Sequence, residues 1–118
     1  MGDRITVIVK HEDAAVVLYS HSLGSDMKGI IAKALHSDAG RNRRQDYNYL
    51  TRIIFSAMVK GYEADECGCG ISALGLDEIE GFVDECAGAD NHPAIVINMV
   101  KQTVDGIDYR DFIAKELK

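Results

Sequence analysis

The sequence predicts an α+β domain: a mostly antiparallel sheet of four to five strands with helices packed on one face. Three observations carry that prediction. Short runs rich in Val and Ile stand at Arg4–Lys10, Ala14–Ser20 and Ala94–Val100, the composition of strands. Elsewhere apolar residues return every three or four positions, as in helices with one buried face. The two kinds of segment come in blocks, β-β-α-α-β-(α)-β-β-α, where a parallel α/β sheet would alternate them.

The first two runs are separated only by the polar stretch His11-Glu12-Asp13, short enough to close an antiparallel hairpin. Both are nearly continuous in apolar residues, which places at least one of them centrally. After the small-residue segment Ser22–Ser25, Met27, Ile30, Ile31, Ala34 and Leu35 trace a helical stripe. Ser25 or Asp26 is its expected N-cap and Ser37–Gly40 its end. Arg41–Gln45 reads as a basic loop. Asp46 then caps a second helix that runs to Lys60, with Gly61 as the stop. Leu50, Ile53, Ile54, Phe55, Ala57, Met58 and Val59 are too many for one face of it. Either that helix is nearly surrounded or one side meets a partner, and a homodimer is expected.

Gly68–Gly75 reads as a short strand weakened by glycines, and Leu76–Ala87 as a short acidic helix. Asn91-His92-Pro93 is a turn. The strand Ala94–Val100 follows, and Thr103-Val104 returns beside it. Asp108 caps a last helix with Tyr109, Phe112, Ile113 and Leu117 on its apolar stripe.

At 118 residues the chain fits one domain, residues 1–118, with enough length to bury a core without staples. No apolar run is long enough to span a membrane, the charged start is not that of a signal peptide, and three cysteines make no disulfide framework. A cytoplasmic setting is expected, the host cytoplasm for a phage protein. The formal charge of −6 is divided unevenly. Residues 1–59 hold eight Lys/Arg and six Asp/Glu, a net of +2; residues 60–118 hold five and thirteen, a net of −8. Extended nucleic-acid binding is therefore not expected.

Several segments, in order along the chain, resemble a family of small uncharacterised proteins from bacteria, archaea and their phages. They are Met1-Gly2-Asp3-Arg4, Leu18–Asp26, Tyr49–Phe55, Gly68–Ser72, His92–Val96 and Tyr109–Ile113. The chain departs from that pattern at Cys69, where an aromatic residue is more usual, and in a longer acidic stretch before His92. The resemblance implies a fold and a phage or prokaryotic setting; it brings no activity with it.

Four groups of residues point to chemistry. The first is the junction where a strand ends at His21 and Ser22, Gly24 and Ser25 lead into a helix. Unpaired N–H groups and the helix dipole favour an anion there. Arg4, Arg41, Arg43, Arg44 and Arg52 would add positive charge. The expected ligand is a phosphate, a nucleotide or a cyclic oligonucleotide, held without a P-loop because the Gly-Lys-Ser/Thr ending is missing. The plainer reading is a capped helix beside a solvated basic loop. The second group is Cys67, Cys69, Cys86 and His92, a donor set of the kind zinc takes, though Cys-x-Cys is not its usual spacing. The plainer reading is three reduced cysteines and no cofactor.

The third is a Cys–His pair drawn from Cys67 or Cys69 and one of the four histidines; no local signature supports it, and catalysis is not the favoured expectation. The fourth is the acidic run: Glu63, Asp65, Glu66, Asp77, Glu78, Glu80, Asp84, Glu85 and Asp90. It is a solvated face or a surface for a basic protein partner through residues 63–90. The sequence thus favours a non-enzymatic small-anion-binding protein. An acidic interaction module or inhibitor docking on a basic host protein is the alternative.

Overall fold

The hairpin forms as the sequence predicts. Strands β1 (Ile5–Lys10) and β2 (Ala15–Ser20) pair antiparallel, Ile5 opposite Ser20 and Lys10 opposite Ala15. The computed structural model describes residues 3–61 and 68–117. Within them β3 (Cys69–Leu74) runs antiparallel along β2. On the other side of β1 lies β4 (Ile95–Asn98), and this pairing is parallel. Two short strands, β5 (Thr103–Val104) and β6 (Ile107–Asp108), extend the sheet antiparallel beyond β4. The order is β3-β2-β1-β4-β5-β6: six strands, not four to five. The extra strand is β6, two residues long and flanked by Gly106 at φ +82°, too short to show a pattern of its own.

Among the described residues five helices accompany the sheet: α1 (Met27–His36), α2 (Asp38–Asn42), α3 (Tyr47–Met58), α4 (Ile79–Ala89) and α5 (Tyr109–Glu116). They do not share one face, which corrects the layer expected from sequence. Alternate residues of β1 point to opposite sides of a sheet. Ile5, Val7 and Val9 join the main core with Ile95 and Ile97, under α1, α3 and α5. Ile8 instead joins Ala15, Cys86 and Ala94 in a second cluster with Phe82 and Val83 of α4. So α4 covers the other face. The physical reason is β1 itself: apolar residues at consecutive positions leave neither side of the strand fit for water.

Helix boundaries follow local chemistry. Asp46 caps α3 by accepting from the Tyr49 N–H, and Asp108 caps α5 by accepting from Arg110 N and Asp111 N. Neither Ser25 nor Asp26 caps α1 with its side chain; a single 3-10 turn, Gly24–Asp26, leads into it. The stretch expected as a helix stop, Ser37–Gly40, opens α2 instead, with the Ser37 hydroxyl accepting from Gly40 N at 3.0 Å. Gly40 is needed there for close approach, since a Cβ would lie 2.0 Å from the Ala34 carbonyl oxygen. The wide apolar set of α3 is absorbed within the chain: Leu50, Ile53, Ile54, Met58 and Val59 are buried, with Phe55 and Ala57 packed against them. Among the described residues no helix is long and apolar enough to cross a membrane.

Tyr109, first residue of α5, is only 4% exposed. The Arg44 guanidinium carbon lies 5.0 Å from its ring centroid, and among the described residues its hydroxyl finds no hydrogen-bond partner. Burial pushes its pKa up to about 12, against a weaker opposing pull from Arg44. An unfolded tyrosine ionises near 10, so the folded state holds a proton that the unfolded state has lost, and stability falls as pH rises from 10 toward 12. Tyr109→Phe should therefore leave stability equal or raise it by about 1 kcal/mol at pH 7. At pH 11 its advantage should grow by about another 1 kcal/mol. Urea unfolding at the two pH values checks this; equal alkaline losses in both proteins would contradict it.

Candidate functional site

The β2–α1 junction does hold a carboxylate, and it is the chain's own. Every backbone N–H from His21 to Asp26 reaches an oxygen of this chain. His21 N donates to Gly68 O, Gly24 N to Asp3 O and Asp26 N to Leu23 O. The Ser20 hydroxyl accepts from Ser22 N at 3.2 Å and Leu23 N at 3.1 Å. Asp3 Oδ2 accepts from Ser25 N at 2.9 Å, and Asp3 Oδ1 meets His92 Nε2. The Ser25 N–H, then the His92 contact, hold the Asp3 carboxyl below the usual carboxylate range. Gly24 makes room: a Cβ there would sit 2.2 Å from His92 Cδ2 and 2.8 Å from Asp3 O. Arg4 N adds a bond to Asn91 Oδ1 at 2.9 Å. Asp3 thus ties the start of β1, the entry to α1 and the α4–β4 turn into one clasp.

The remaining candidates lie in three places. Arg4 and His21 line a small hollow of about 310 Å³ with Tyr19, Ser72, Phe82 and Asp90. Arg43 and Arg52 flank the exposed Tyr49 ring, 4.5 and 4.7 Å from its centroid, and Arg43 also approaches Asp46 at 3.8 Å. Arg41 and Arg44 meet in a cleft of about 670 Å³ with His36, Lys101, Arg110 and Tyr109. Gly24 and Ser25 border a cavity of about 300 Å³ with Lys28 and His92.

The cleft is lined mainly by cations. Arg41 pairs with Asp38. Arg44 is half-buried, and its Nη1 donates to Leu35 O at 2.7 Å and Gly40 O at 3.2 Å, closing the end of α1. Burial pulls its pKa below the ordinary arginine value. The one carboxylate in the lining, Asp108, caps α5. The floor is apolar: Tyr109, Ile113 and Ala114. Sequence reasoning found Arg41 and Arg44 but not Lys101, Gln102 or Arg110. These come from the β4–β5 turn and the first turn of α5, about sixty positions further on, and no local pattern joins them to the arginines. A slightly larger hollow, about 680 Å³, sets Arg43 against Glu12, Asp13 and Asp46, an acidic balance that does not suit an anion. His11 lines it, bonded to the Thr51 hydroxyl at 3.1 Å, and burial lowers its pKa.

The proposed zinc donors are apart where they can be seen. Cys69 packs against the main core, on the α1–α3–α5 side of the sheet; Cys86 is buried in the second cluster, under α4. His92 is turned to Asp3, and Cys67 lies outside the described residues. Among the described residues no group of three or more His, Cys, Asp or Glu gathers as a metal would require. Burial pushes the Cys86 thiol pKa up, and the side chain packs in the second cluster.

The clasp has a pH signature. A carboxylate with a depressed pKa stabilises the fold above its unfolded value, and that contribution is lost as pH falls through the depressed one. Asp3→Asn should lower the melting temperature at pH 7. The gap from wild type should persist to mildly acid pH and close only below the ordinary value of 3.8. Melting curves across pH 2.5–7 (about six points) would show it; equal melting temperatures at pH 7 would sink the clasp as a stabilising feature.

No family model matches the chain, and neither a curated protein nor a solved structure matches it.

Proposed function

We propose that this chain is a non-enzymatic binding protein of phage or prokaryotic origin that holds a small anionic ligand, a phosphate or a nucleotide. The observation that carries this reading is the cleft between α2, the β4–β5 turn and α5. Arg41, Arg44, Lys101 and Arg110 face about 670 Å³ of space there, and among the described lining residues the only carboxylate, Asp108, caps a helix. That volume is in the range of small-ligand pockets, roughly 300–1,000 Å³. Arg44 is held by two carbonyl oxygens and by the Tyr109 ring, so it needs little ordering on binding. The β2–α1 junction supports the reading less well, because its N–H donors are already engaged.

A second reading draws on a different surface. On α4 and the turn before it, Asp77, Glu78, Glu80, Asp84 and Glu85 are exposed. No Lys or Arg occurs between Lys60 and Lys101. A basic protein partner would be attracted to that face and released by salt. Pull-down at low and high salt, repeated with Glu80, Asp84 and Glu85 changed to Lys, tests it.

For the leading reading, pyrophosphate at millimolar concentration should raise the melting temperature of the wild type. The Lys101→Ala/Arg110→Ala double variant should melt as the wild type does without ligand and gain less than about a third of the shift. No shift in the wild type, or an equal shift in the double variant, would overturn the reading.

A further inference from the structure

We propose that the cleft takes a nucleoside carrying two or more phosphate groups in preference to free phosphate. This rests on the anion-binding reading above and narrows it. The first argument is reach. The cations stand on three separate pieces of chain: Arg41 and Arg44 at the end of α1 and α2, Lys101 in the β4–β5 turn, and Arg110 in the first turn of α5. One tetrahedral anion in a space of about 670 Å³ touches only part of such a ring.

The second argument is charge. Four Lys/Arg stand against Asp108 in the lining and against Asp38 paired to Arg41, a formal +2 that suits an anion of more than one charge. Arg41 and Arg44 are held, one by Asp38 and one by the Leu35 and Gly40 carbonyls. Among the described residues Lys101 and Arg110 hold no ion pair.

The third argument is the floor. Ile113 and Ala114 of α5, with the nearly buried Tyr109, give the lining an apolar part that suits a flat base and not a phosphate. Gln102 belongs to the same lining, and its amide carries both donors and an acceptor for a base edge. Its backbone is fixed in the left-handed region, φ 56°, and its carbonyl accepts from Tyr109 N at 2.9 Å. The turn and the helix therefore present this wall as one piece, set before any ligand arrives.

Titration calorimetry on the full chain at low salt tests the inference. The probes are orthophosphate, pyrophosphate, adenosine, and the diphosphates of adenosine, guanosine, cytidine and uridine. At least one nucleoside diphosphate should bind about tenfold or more tightly than pyrophosphate, and pyrophosphate more tightly than orthophosphate. Lys101→Ala and Arg110→Ala should each weaken that nucleotide about three- to tenfold. Arg52→Ala, a cation on the far patch around Tyr49, should not. Ala114→Glu, on the exposed side of α5, should weaken the nucleotide more than pyrophosphate. If pyrophosphate binds as tightly as every nucleotide, the inference falls and the anion reading stands. If nucleotide affinity survives the Lys101/Arg110 double substitution, the site is elsewhere and the inference falls. If no anion binds at millimolar concentration, both readings fall.

Discussion

Strand β1 is the constraint on which the rest depends. Five successive residues, Ile5 to Val9, are buried, with Val7, Ile8 and Val9 at 0% exposure. Each fully buried Val or Ile stabilises a fold by about 1.5–3 kcal/mol, so exposing either face of this strand would be costly. Three helices cover one side and α4 the other. The strand pairs antiparallel with its hairpin partner and parallel with β4. The parallel pairing requires a long crossover, and that crossover contains β2, α1, α2, α3, β3 and α4. The two-layered cover is thus a consequence of one short segment that cannot meet water on either side.

The same arrangement sorts the charge. The acids of residues 77–85 lie on the α4 side, while Arg41, Arg43, Arg44, Arg52 and Arg110 stand on the opposite layer or its connecting turns. Packed layers lie about 10 Å apart, and the ionic atmosphere at physiological salt screens over about 8 Å. Across a helix, a sheet and another helix the two fields hardly cancel. A chain with an overall charge of −6 can therefore carry a cationic cleft whose local field is close to that of its own side chains.

Much of the fold is written in local signals, and those are the parts that sequence reasoning reads. Asp46 and Asp108 cap helices because their side chains reach N–H groups two or three positions on. The β1–β2 register follows from a short polar break. The side of the sheet taken by α4 depends on Ile8 meeting Cys86 across 78 positions of sequence, for which no short pattern exists. Gly40 is a case where a local signal misleads: glycine commonly ends a helix, but here it lets α2 approach the Ala34 carbonyl. The β2–α1 junction is another. A small-residue loop before a helix attracts an anion, and one is present, but Asp3 supplies it from within the chain, and His92, 89 positions away, completes the contact. That pairing is invisible until the fold brings both ends of the sequence together.

The cleft lies where three elements stop or turn, and this is why cations collect there. The carbonyls at the end of α1 have no partner in their own helix, and Arg44 answers Leu35 O among them. A guanidinium used this way is fixed in place, which suits it to orient a ligand, but part of its hydrogen-bonding capacity is spent. Arg41 is likewise shared with Asp38. Among the described residues Lys101 and Arg110 hold no ion pair; were an anion to bind there, ordering their long side chains would cost about 0.5–1.5 kcal/mol each. Under the anion-binding proposal, Arg41 and Arg44 would set where an anion sits, and Lys101 and Arg110 how strongly it is held.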